Sequence, residues 1–190
     1  VLCALRAQNS ARCIQLSDDH SGSEDVAIGD LDNDLRSDAI FVGGPNPPRI
    51  CSADSVGAVR CATVTGVNSD TRRVVLVRLD GDNWSDAVFL TADGRVLTCF
   101  GTGGTGPHLV CRSIDGLSCG YSALDVGALS ADSWWDFLLA SDDGVTACLG
   151  ESDVSYSCRD LETVTVGARA VLIADADGDR RIDAILVGDD

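Results

Sequence analysis

The residues in this chain with the clearest chemical potential are aspartates at alternate positions. Asp30–Asp38 (DLDNDLRSD) and Asp175–Asp183 (DADGDRRID) both carry Asp at positions one, three, five and nine. A calcium ion takes about six to eight hard oxygens at flexible geometry, and short loops supply them as alternate carboxylates, a backbone carbonyl at the seventh position and a final acid. The expected ligands are therefore Asp30, Asp32, Asp34 and Asp38 with the carbonyl of Arg36, and Asp175, Asp177, Asp179 and Asp183 with the carbonyl of Arg181. That gives about two bound ions, one per loop. The alternative is a solvated acidic turn, but four carboxylates within nine residues repel one another when no cation is present.

Two weaker copies of the loop follow the same frame. In Arg78–Asp86 (RLDGDNWSD), Arg78 replaces the first acid beside Asp80, Asp82 and Asp86. That loop either holds a metal weakly or closes as an internal salt bridge. Ala128–Asp136 (ALSADSWWD) keeps only Asp132 and Asp136, which are expected to bond loop amides rather than a metal. Trp84, Trp134 and Trp135 sit in these two copies. Exposed Trp can stack on a sugar or anchor a partner, whereas an inward Trp fills space between elements.

Cysteine is the second chemically informative type. Cys3 and Cys13, Cys51 and Cys61, Cys99 and Cys111, and Cys148 and Cys158 are separated by 10, 10, 12 and 10 positions, which leaves Cys119 over. No pair has the close spacing of a zinc site, so disulfides are expected, and with them an oxidising compartment. Cys119 is either buried and inert or used between chains.

These groups must be held by elements that recur. The final acids of the four copies step by 48, 50 and 47 residues, a period typical of propeller blades. Each loop lies between two apolar runs, such as Val74–Val77 and Ala87–Leu90, as in a hairpin, and two further strands carry the Cys pair. The expected fold is all-β: a four-bladed β-propeller with four antiparallel strands per blade. The chain starts with two Cys-bearing strands and ends with two loop-flanking strands, so the N- and C-terminal strands are expected to share the last blade and close the ring. The single domain 1–190 divides into blades at about 24–65, about 72–114, about 121–161, and about 167–190 plus 1–17.

With these motifs, most closely in Asp175-Ala176-Asp177-Gly178-Asp179, the chain resembles the integrin-α-type FG-GAP and VCBS calcium-binding propeller repeats. Val96–His108 (VLTCFGTGGTGPH) is similar to the strand and glycine turn that follow the loop in VCBS repeats. The resemblance covers all four repeats and implies an extracellular module that contacts proteins or copies of itself. The cysteine pairs are an addition to the family pattern.

Charge and composition narrow the rest. A net charge of −16, with every basic residue an Arg, argues against a nucleic-acid partner. No apolar run reaches the roughly 20 residues of a membrane span, so no membrane insertion is expected. His20 and His108 have no motif-spaced nucleophile or acid, so no enzyme is expected either. The expectation is a secreted structural or adhesive module that assembles with other extracellular proteins or with itself. A lectin using the Trp-bearing loops is the alternative, with glycans as partners.

Overall fold

A computed structural model of the chain describes residues 2–6, 10–14, 22–53, 58–103, 108–130, 132–152, 155–161 and 168–188, of which the first two segments are described in backbone only. The described residues form an all-β chain. Its strands are β1 (Leu2–Arg6), β2 (Ser10–Ile14), β3 (Asp25–Gly29), β4 (Asp38–Val42), β5 (Arg49–Ala53), β6 (Val59–Thr63), β7 (Thr71–Val77) and β8 (Asp86–Thr91). They continue with β9 (Val96–Gly101), β10 (Leu109–Ser113), β11 (Tyr121–Gly127), β12 (Asp136–Ser141), β13 (Gly144–Gly150), β14 (Tyr156–Asp160), β15 (Ala168–Ala174) and β16 (Asp183–Gly188).

The strands pair as antiparallel meanders: β3 to β6 form the first sheet, β7 to β10 the second and β11 to β14 the third, while β15–β16 and β1–β2 are two-stranded sheets. In each unit the acidic loop joins the first strand to the second. The register is the same in every copy, since Gly29 faces Asp38, Val77 faces Asp86, Gly127 faces Asp136 and Ala174 faces Asp183. The second strands of the middle sheets, DAVFLT and DFLLAS, are apolar without alternation because they are covered on both faces.

That double burial follows from how the sheets stack. Each of the three core clusters lies between consecutive sheets. Ile40 and Val42 of the first sheet meet Val74, Ala87 and Phe89 of the second. Val88 and Leu90 meet Phe137 and Leu139 of the third, and Leu138 and Ala140 meet Val171 of β15, with Ile173 and Leu186 packed alongside. Where the small residue Gly29 ends β3, Leu76 of the next sheet lies only 3.0 Å from the place a Cβ would take, and at Gly127 the neighbour is Ile173 at 2.6 Å. Hydrogen bonds from backbone to side chain cross the same gaps: the Val74 amide donates to Asp25 Oδ2 at 3.1 Å and the Ile173 amide to Asp125 Oδ2 at 2.7 Å.

Three disulfides join the third strand to the fourth within a sheet: Cys51–Cys61, Cys99–Cys111 and Cys148–Cys158, with Cα separations of 4.1, 3.9 and 3.9 Å. Cys3 faces Cys13 in the β1–β2 register, but their side chains lie outside the described residues. Replacing both Cys148 and Cys158 by Ala is expected to cost about 2–3 kcal/mol, because the cross-link restricts the unfolded chain. Urea unfolding checks this, and an unchanged midpoint would show that the strand ladder alone supplies the constraint.

The closure expected from the chain's phase is not seen. Among the described residues β1–β2 and β15–β16 stand as separate two-stranded sheets with no ladder between them, and the main packing across sheets runs from β3 and β4 to β7, from β7 and β8 to β11, and from β11 and β12 to β15. Counting strands at the chain ends predicts a fourth sheet made from these two pairs. Whether those parts meet depends on the curvature set at three sheet interfaces, which strand counting does not reach.

Candidate metal centres

The loop between the first and second strands of each unit is built from its own carboxylates. In every copy the fifth-position acid bonds the amide of the seventh: Asp34 accepts from Arg36 at 2.9 Å, Asp82 from Trp84 at 2.7 Å, Asp132 from Trp134 at 2.9 Å and Asp179 from Arg181 at 2.7 Å. These are the local turns to which Asp is suited. The fourth position is left-handed, with φ of 58° at Asn33, 72° at Gly81 and 81° at Gly178, which is why Asn or Gly stands there.

The ninth-position acid reaches back across the loop. Asp38 Oδ2 accepts from the Leu31 amide at 2.8 Å, Asp86 Oδ2 from Leu79 at 2.5 Å, Asp136 Oδ2 from Ser130 at 2.6 Å and Asp183 Oδ2 from Ala176 at 3.0 Å. In the second and third sheets the other oxygen also holds the third strand, through the Gly101 amide at 2.8 Å and the Gly150 amide at 2.9 Å. Sequence reasoning assigned this role to the third loop alone. It also missed the residue at position two, where Leu31 and Leu79 are buried and anchor the loop in the core. An apolar residue between the first two acidic positions was the available signal.

Against this backbone-bonding frame, three groups of carboxylates converge closely enough to hold a metal ion: Asp30, Asp32 and Asp38; Asp80, Asp82 and Asp86; and Asp175, Asp177 and Asp183, each offering oxygens within 4.8 Å of one another. Asp34 and Asp179 lie outside these groups. Asp34 instead pairs with the Arg36 guanidinium at 3.0 Å. In the second loop Arg78 is exposed, and among the described residues it forms no ion pair with the neighbouring acids. The geometry there is that of a third acidic cluster, not of an internal salt bridge. Asp132 and Asp136 form no such group.

The first cluster carries an electrostatic strain that a cation would relieve. Asp32 Oδ1 is buried without a hydrogen-bond partner. Burial raises the Asp32 carboxyl above its ordinary range, and the Asp34 charge adds to the effect. Burial also pushes Asp38 up to about 6, against the lowering from the Leu31 amide, and Asp86 to about 6, against the Gly101 and Leu79 amides. The donors are all carboxylate oxygens, which suit a hard cation and exclude a soft one.

Two of the three Trp residues serve the loops. Trp84 covers Gly103, where a Cβ would lie 2.7 Å from its ring, and Trp134 crowds Gly150, where a Cβ would lie 2.9 Å from the Trp134 Cβ. Trp135 is 36% exposed. Cys119 is an exposed free thiol. His108 bonds Thr102 Oγ1 through Nδ1 at 2.9 Å, and His20 lies outside the described residues.

Fold and loops together define an all-β protein of stacked antiparallel sheets, disulfide-linked, with acidic loops that could hold metal ions. No protein-family model matches the chain, and no curated protein matches it. The three disulfides agree with an oxidising, extracellular environment, and among the described residues no helix is long and apolar enough to cross a membrane.

Proposed function

We propose that the chain is a secreted, non-enzymatic array of β-propeller blades, stabilised by calcium, that serves as an extracellular structural or adhesive module and associates with proteins, including copies of itself. The observation that carries the metal part is the partnerless Asp32 Oδ1, buried among Asp30 and Asp38. A buried anionic oxygen with no donor is costly unless a cation reaches it. The resemblance to FG-GAP and VCBS repeats supports calcium as that cation and blades as the units. The stacking of one sheet per repeat, each burying its faces only against its neighbours, supports the same reading.

The loop geometry points to three ions instead of the two read from the acid count, because the second loop gathers Asp80, Asp82 and Asp86 as closely as the others gather their acids. Calcium at ten times its dissociation constant is expected to stabilise the fold by about 1.4 kcal/mol per site. Isothermal calorimetry of the chelator-stripped protein, paired with melting curves in calcium, magnesium and chelator, measures it. Asp177→Asn and Asp32→Asn should each remove one site. Absence of binding heat together with an unmoved melting temperature would overturn the metal reading.

The adhesive reading competes with glycan binding through the Trp-bearing loops. The Trp84 ring lies against Gly103 in its own sheet and Trp134 is half-buried, which leaves Trp135 as the most exposed of the three and favours the adhesive reading. Reproducible binding on a glycan array, abolished by Trp135→Ala, would reverse that order.

A further inference from the structure

The repeat makes it possible to say which face of each unit meets which neighbour. Two residues of the first strand point toward the preceding sheet: Val74 and Leu76 in the second sheet, Leu124 and Val126 in the third, and Val171 and Ile173 in the terminal pair. All six are buried or packed against a core cluster. The register places Val26 and Ile28 at the same positions of the first sheet, where no sheet precedes them, and they are 47% and 60% exposed. At the other end, Leu172 and Val187 of the terminal pair are 50% and 58% exposed. By register Leu172 matches Ala27, and Val187 matches Val42 and Leu90, residues that in the inner units pack against the following sheet.

The two end faces are thus the two halves of one interface that the chain already makes three times. Their shapes also follow the series. The residue ending the first strand receives the large side chain of the next unit: Gly29 receives Leu76 and Gly127 receives Ile173, while the Val77 and Val126 pair shares one cluster. Ala174 occupies that place in the terminal pair, with Ile28 as the side chain of matching position.

We propose that a second copy of this chain seats its Val26 and Ile28 face on the Leu172 and Val187 face of the first, continuing the stack head to tail. This names the surface for the self-association proposed above, and it rests on that reading. Two copies closing on each other would make a ring, and further copies a filament. An apolar face equivalent to three buried ones is the kind of surface that marks a contact site.

A head-to-tail contact has a signature that a symmetric one lacks. Sedimentation velocity of the full chain in calcium, disulfides intact and Cys119→Ser throughout to remove thiol cross-links, should show dimers or longer species. Ile28→Asp spoils one face and Leu172→Asp the other, so each variant alone should be monomeric, with association weakened tenfold or more. An equimolar mixture should recover a one-to-one dimer and nothing larger, because each variant keeps the face the other lacks. Val26→Asp and Val187→Asp repeat the design should either first variant fail to fold, as judged by circular dichroism. A monomeric parent protein overturns both the self-association and this surface. Association that survives both substitutions, or a mixture that stays monomeric, overturns the surface alone.

Discussion

Asp136→Ala is expected to destabilise the protein by about 3 kcal/mol, since it leaves two amides without acceptors, at roughly 1–3 kcal/mol for each buried group left unpaired. Asp136 is fully buried, and its two oxygens hold Ser130 at the loop and Gly150 at the end of β13. Its loop lacks the acidic cluster of the other three, so the loss is expected to be the same in calcium and in chelator. Asp136→Asn keeps one acceptor oxygen and should lose about half as much. Urea unfolding with and without chelator measures both variants. A loss confined to the calcium-bound protein would mean that Asp136 acts on a metal after all.

Phe137→Ala is expected to cost about 3–5 kcal/mol, the range for truncating a buried aromatic side chain. Phe137 is fully buried between the second and third sheets and stacks on Tyr156 with ring centroids 4.6 Å apart. The same truncation at Trp135, whose ring is partly in water, should cost far less. Thermal or urea unfolding of the two variants side by side provides the comparison, and equal losses would contradict the assignment of the core to the gaps between sheets.

Much of this arrangement was legible in the sequence, because a side chain's chemistry and its spacing are local. The paired Cys spacings marked adjacent strands, and three of those pairs form disulfides across one ladder. The four loops were legible from the acids at positions five and nine, which even the degenerate Ala128–Asp136 keeps. What the sequence could not show is why those two survive there. Both bond backbone amides in every copy, and in that loop no acid at position one or three stands beside them to complete a carboxylate cluster like that of Asp30, Asp32 and Asp38 or of Asp175, Asp177 and Asp183. Elsewhere the duties overlap, since Asp30 and Asp175 also accept loop amides while Asp38 and Asp183 also belong to the clusters. The second loop left a weak metal site and a salt bridge both open for a related reason. Arg78 looks like a counter-ion in a linear sequence, but it sits at the edge of the turn and exposed, while Asp82 takes a place in the cluster that its equivalents Asp34 and Asp179 do not.

The placement of every core cluster between sheets has a consequence for how the chain acquires its structure. No sheet owns an interior, so none can be expected to hold together by itself. The free energy of each unit is a weak intrinsic part plus a coupling to its neighbours, as in a one-dimensional chain of coupled elements. Order should therefore spread outward from the second and third sheets, which have two neighbours each, and the terminal pair β15–β16, with one neighbour and half a ladder, should fray first and join last.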